Sequence, residues 1–281
     1  MEKVFLNDKI VDAGEAHISV TDSGLLYGMG LFETMRCENG RVFAIDDHIE
    51  RLFGSIKALA MLNTYDKEYI KDAIAKTIDA SGLSDARLRL TLTNGALSSE
   101  GKVESTLLIT ATELVPYPAE YYKNGVRVIL TDFRQNAADP TTGHKTTNYF
   151  DRMLALNIAH QKKVAETLWF TTDNYLAEGC VSNVFLVKDS VLYTPSLDTP
   201  VLPGIMRKRI CEIAKKESIE LVEKKLVISD LLGADEVFLS NVIMKVLPVI
   251  AVEAKTIGNG KVGPVTKRLM EGVNKIRSEE I

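Results

Sequence analysis

The stretch Thr141–Tyr149, TTGHKTTNY, sets a lysine in a short, polar, threonine-rich loop directly behind Pro140. From Asn148 the chain runs NYFDRMLALNIAH, which reads as a helix with Tyr149, Phe150, Met153, Leu154 and Ile158 on one face. Lys145 therefore stands just before an element start, where a rigid scaffold can aim it. Held in an apolar pocket, a lysine there loses its proton and becomes an amine nucleophile that forms a Schiff base with a carbonyl. The ordinary alternative in this window is a solvated loop lysine, and the rest of the chain has to decide between them.

Working outward, a length of 281 residues suits two domains better than one. The apolar and charged fractions, 46% and 26%, are those of a soluble globular protein. A net charge of −4 gives no basic footprint for nucleic acid and no attraction to an anionic membrane. No apolar run reaches the length of a membrane span, and MEKVFLNDKI has no signal-peptide core. Cys37, Cys180 and Cys211 form no CxxC pair and leave one cysteine over, which fits a reducing cytoplasm. Four scattered histidines give no zinc spacing, so no metal site is expected.

Residues 3–11 read as two strands about a turn at Asn7-Asp8, and Gly24, Gly28 and Gly30 in SVTDSGLLYGMGLFETMR as a turn into a strand. The lone GMG lacks the full GxGxxG of a dinucleotide site. Asp46-Asp47 are expected to cap the helix HIERLFGSIKALAML, with Arg51 off its apolar stripe. A second helix spans Lys67–Ser81 and stops at Gly82. In ARLRLTLTNG, Leu88, Leu90 and Leu92 alternate with Arg87, Arg89, Thr91 and Thr93, the pattern of a half-buried strand. Further on come VRVILTD, TLWFTTD and a hairpin over Asp189-Ser190. A helix from Gly204, strands ELVEKKL, EVFLSN and LPVIAV, and a last helix over Val265–Ile276 complete the chain. The class is α/β (α+β): a small domain over 1–116, a linker over 117–125 and a larger domain over 126–281.

Three motifs besides the lysine loop carry chemistry. LAEGCVSNVFLV takes Glu178 into an apolar strand, where its charge needs a partner: a cationic ring nitrogen or an ordinary arginine. VLPGIMRKRI places Pro203-Gly204 before a helix whose free N–H groups favour an anion, as any helix start does. EVFLSNVIMKVLPV ends a strand on Ser240-Asn241, positions that line ligand sites or serve a plain Asx-turn.

Taken in order, DSGLLYGMGLFETMR, DHIERL, HKTTNY, AEGCVSNVFLV, YTPSLDTPVLPGIMR and EVFLSNVIMKVLPV resemble the fold-type-IV pyridoxal-phosphate enzymes, from about residue 3 to the last helix. That family includes branched-chain and D-amino-acid transaminases and 4-amino-4-deoxychorismate lyase. The resemblance implies pyridoxal 5′-phosphate as cofactor, with Lys145 as the Schiff-base lysine and proton carrier. It implies Glu178 at the pyridine nitrogen, Arg51 on the phosphate and Tyr149 near O3′. Ser182 and Asn183 in the glutamate motif, and Gly204, Ile205, Met206, Ser240 and Asn241 about the phosphate, complete the expected cofactor site. Tyr27 and Phe32 are implied at the substrate pocket, partly across the interface of a homodimer. Arg36 and Arg89, with Lys245, are the candidates for the substrate carboxylate.

Two departures from the family pattern bear on the activity. Met206 stands where many members carry a threonine, and KTTNY is one residue shorter than in branched-chain transaminases. With FETMR, GIMR and the Asn241…Met244 pair, these point first to 4-amino-4-deoxychorismate lyase, releasing 4-aminobenzoate and pyruvate. The alternative is an aminotransferase of branched-chain or D-amino acids.

Overall fold

The computed structural model describes residues 2–96 and 104–281; residues 1 and 97–103, within the expected first domain, lie outside the described residues. The chain divides into two units. The first comprises Met1–Val115 with His144–Asn148 and Glu280–Ile281, and the second Pro116–Gly143 with Tyr149–Glu279. Residues 117–125, expected to be a linker, carry a helix of the second unit, and the lysine loop belongs by its contacts to the first.

The first unit begins with β1 (Lys3–Leu6) and β2 (Lys9–Asp12), then α1 (Ser23–Tyr27), β3 (Gly30–Glu38) and β4 (Arg41–Val42). Helices α2 (Ile45–Ala58) and α3 (Lys67–Ser81) follow, then β5 (Ala86–Thr93) and β6 (Thr106–Glu113). The strands pair antiparallel in the order β2-β1-β6-β5-β3-β4. Leu88, Leu90 and Leu92 of β5 are buried, while Arg87 and Arg89 alternate on the exposed side, as a two-residue period demands. Ile49, Leu52 and Ile56 of α2 and Ile70, Ile74 and Ile78 of α3 join these leucines in one core. Full burial of each such side chain contributes about 1.5–3 kcal/mol. Asp46 and Asp47 lie inside the first turn of α2 rather than capping it; the cap position is Ala44, in a left-handed conformation without a side-chain bond. The two carboxylates still favour the positive end of the helix.

The second unit contains α4 (Ala119–Asn124), β7 (Val126–Gln135), α5 (Phe150–Gln161), β8 (Glu166–Thr171) and β9 (Leu176–Gly179). Next are β10 (Asn183–Lys188), β11 (Val191–Pro195), α6 (Ile205–Lys216), β12 (Leu221–Lys224) and α7 (Ile228–Leu232). It ends with β13 (Glu236–Asn241), β14 (Lys245–Val252), β15 (Lys255–Thr256) and α8 (Pro264–Glu280). The strand order is β12-β11-β10-β13-β14-β7-β8-β9, with β15 on β14. Asp189 and Ser190 turn the β10–β11 hairpin with φ of 50° and 65°, the left-handed pair of a tight hairpin turn. The expected apolar face of α5 is not its buried one. Ala155 and Ala159 are buried, whereas Phe150, Met153, Leu154 and Ile158 are exposed. Among the described residues no helix is long and apolar enough to cross a membrane.

Candidate active site

In the first unit the lysine loop is laid along the start of β3. The N–H of Phe32 donates to the Lys145 carbonyl (2.8 Å), the N–H of Thr147 donates to the Gly30 carbonyl (2.8 Å), and Leu31 and Thr146 form a bridge. The Thr147 hydroxyl donates to the Gly28 carbonyl at 2.8 Å. Gly28 ends α1 with φ of +67°, and a Cβ there would stand 1.9 Å from Oδ1 of Asn148, so both conformation and space require glycine. Buried Asp22 anchors the other end of that motif, accepting from the Gly24 N–H and from the hydroxyls of Thr93 and Thr106. Lys145 is therefore fixed by strand-like pairing, not by a mobile loop. Its Nζ lies 4.2 Å from the centroid of the Phe32 ring, and the Arg89 guanidinium lies 3.9 Å from the same centroid.

The alternation of β3 explains a second cluster. Leu31, Glu33, Met35 and Cys37 share the face toward α2, so a carboxylate interrupts an apolar row. His48 and Arg51, three residues apart on one helical face, meet it. Arg51 donates through Nε to Oε1 of Glu33 (2.8 Å) and through Nη2 to Oε2 (2.5 Å), and His48 Nδ1 lies 2.7 Å from Oε2. Burial alone would raise the Glu33 pKa, but Arg51 and His48 outweigh it and hold the carboxyl at about 2. Arg36 instead pairs with Glu38 in a buried contact, and Tyr27 is exposed at the end of α1.

In the second unit, Glu178 is 3% exposed and accepts from four donors. Arg152 Nη2 reaches Oε1 at 2.7 Å and the Leu202 N–H reaches Oε2 at 3.0 Å. Gln135 and Asn183 add longer contacts of 3.5 and 3.4 Å. Behind it, Glu166 receives the Cys180 N–H and the Ser182 hydroxyl, both at 2.9 Å; burial lifts its pKa to about 7. Ser182 thus spends its hydroxyl on the turn. The Tyr149 hydroxyl donates to the Cys180 carbonyl at 2.9 Å, and burial raises its pKa.

Farther along the same sheet, Ser240 pairs with Asn183 across β10 and β13. A Cβ on Gly204 would stand 1.9 Å from Asn183 Oδ1, which places the start of α6 against this strand pair. Gly204 caps α6 without a side-chain bond, leaving the first N–H groups, including those of Ile205 and Met206, without side-chain caps. The Ser240 hydroxyl is buried, in a residue 1% exposed, and has no hydrogen-bond partner among the described residues. An uncapped helix start beside a buried, unpartnered hydroxyl suits a phosphate. Asn241 is used differently. Its Oδ1 accepts from the N–H groups of Ile243 and Met244, and its Nδ2 donates to the Val181 carbonyl. Its side chain builds an Asx-turn.

Glu33, His48, Glu166 and Arg152 were not singled out from the sequence. The charge of Glu33 inside the apolar run GLFETM was a readable sign, since a buried carboxylate needs partners. Arg152 stood within the helix NYFDRMLALNIAH but offered no pattern pointing at Glu178, which is 26 residues away.

A lysine laid along a strand, a buried carboxylate and a helix start without a side-chain cap are residue types that a pyridoxal-phosphate enzyme can use. The model of the family Amino-transferase class IV matches residues 30–252, and the chain belongs to that family, whose members are pyridoxal-phosphate-dependent enzymes. It is 35% identical over 282 residues to a Methanocaldococcus jannaschii protein provisionally named a branched-chain-amino-acid aminotransferase, covering 99% of this chain and 97% of that one. It is 30% identical to a D-alanine aminotransferase of Listeria innocua, over 95% and 93% of the two chains. The fold is similar to that of the Escherichia coli branched-chain amino acid aminotransferase, with a TM-score of 0.93 at 28% identity, over 99% and 95% of the two chains.

Proposed function

We propose that this chain is an amino-acid aminotransferase, moving the amino group of a branched-chain amino acid to a 2-oxo acid. The observation that carries this reading is the likeness over nearly the whole chain to proteins named as aminotransferases. A D-amino acid is the second reading, favoured by the short KTTNY loop. The lyase expected from the motifs is the third reading, because the relatives similar over nearly the whole chain are named as aminotransferases.

The cofactor, when bound, supplies an aldehyde for amino exchange and a ring that accepts electrons. Lys145 Nζ would hold it and carry the proton. Glu178 would sit at the ring nitrogen, Tyr149 beside the ring hydroxyl, and Arg51, the first N–H groups of α6 and Ser240 would hold the phosphate. Of the three candidates for the substrate carboxylate, Arg89 is best supported, because it shares the Phe32 ring with Lys145. Arg36 is bound to Glu38, and Lys245 donates to Asn274. The exposed apolar faces of α1 and α5, with Leu25 at 68% and Phe150 at 82%, support assembly as a homodimer.

The test is to mix cofactor-loaded protein with single L- and D-amino acids, and separately with aminodeoxychorismate, without any oxo acid. Bleaching of the visible band by a branched-chain amino acid, and its return with 2-oxoglutarate, is the expected result. Bleaching by D-alanine instead selects the second reading. Release of 4-aminobenzoate with the band intact would overturn both.

A further inference from the structure

Glu178 has one strong bond on each carboxylate oxygen, from Arg152 to Oε1 (2.7 Å) and from the Leu202 N–H to Oε2 (3.0 Å). The contacts from Gln135 and Asn183, at 3.5 and 3.4 Å, lie at the weak limit, so the carboxylate retains capacity for a further donor. Arg152 does more than pair with it. Its Nη1 donates to the Gly179 carbonyl (3.0 Å) and reaches the Cys180 carbonyl (3.4 Å), gripping the backbone that follows Glu178. The guanidinium lies 5.6 Å from the ring centroid of Tyr149 and 5.5 Å from that of Trp169, two walls that limit its movement. One planar fork thus binds both the carboxylate and the turn that carries it, which a lysine cannot reproduce.

We propose that Arg152 is a positioning residue that, bound both to Glu178 and to the turn after it, orients the carboxylate toward the cofactor's ring nitrogen. This rests on the proposed role of Glu178. A carboxylate aimed at the ring nitrogen accepts its N–H bond and so favours the protonated ring. Without Arg152 the carboxylate loses the fork that aims it, and the ring nitrogen loses the acceptor that favours its protonated form.

The experiment loads wild type, Arg152→Gln and Arg152→Lys with pyridoxal phosphate labelled with ¹⁵N in the ring and reads the nitrogen chemical shift. Wild type should give the protonated position, Arg152→Gln should move most of the way to the unprotonated one, and Arg152→Lys should fall between. Loss of a merely structural arginine would lower the melting temperature without moving this signal. Arg152→Gln holoenzyme with the wild-type shift overturns the inference. Should that variant not fold, an Arg152→Lys shift equal to wild type overturns it equally. If wild type binds no cofactor, the proposed function fails first, which separates the two.

Discussion

Arg51 presents its guanidinium to Glu33 in a two-pronged contact, with His48 on the same carboxylate, so its direction is set before any ligand arrives. Arg51→Ala is expected to weaken cofactor affinity by about 1.5–3 kcal/mol, the scale of a charge-assisted bond. Spectral titration with pyridoxal phosphate measures it, and unchanged affinity would remove Arg51 from the phosphate site. Glu33 adds a pH signature. Its folded pKa, about 2, lies below the ordinary 4.5, so its stabilisation is present above 4.5 and is lost as pH falls through about 2. The shift corresponds to something on the order of 3 kcal/mol. Glu33→Gln should therefore be less stable at neutral pH and show a shallower decline in melting temperature below pH 4.5. An acid limb identical to wild type would contradict the ion-pair assignment.

Among elements, those with a clear period were legible before the structure. The alternation of β5 and the stop of α3 at left-handed Gly82 are local signals that the fold keeps. What the chain does not advertise is non-local pairing. Nothing in TTGHKTTNY tells that its backbone joins β3, because that bridge links Leu31 and Thr146, far apart in the chain. The helix α5 shows the opposite failure. Its sequence carries an apolar stripe, but periodicity cannot distinguish a face buried in its own chain from one left for another chain. If that face is a subunit interface, light scattering should report a dimer, and Phe150→Asp with Leu154→Asp should dissociate it. A wild-type protein that is monomeric and fully active at micromolar concentration would refute the assembly.

For the whole molecule, the residues of the proposed cofactor site stand in motifs that the sequence displays, while the contacts each of them makes do not show there. Lys145 and Glu178 were visible as types in context, yet the partners that fix them, β3 for one and Arg152 for the other, follow only from tertiary structure. The proposed phosphate cradle divides in the same manner: the start of α6 is written in PGIM, whereas the Ser240 hydroxyl, without a partner among the described residues, emerges from strand register. The most direct test of Lys145 as the cofactor lysine is reductive trapping. The protein is loaded with pyridoxal phosphate, reduced with borohydride, digested and mapped by peptide mass. The predicted result is a phosphopyridoxyl group on Lys145, absent from Lys145→Ala. Cofactor trapped on a different lysine, or none trapped on protein that retains its fold, would contradict it.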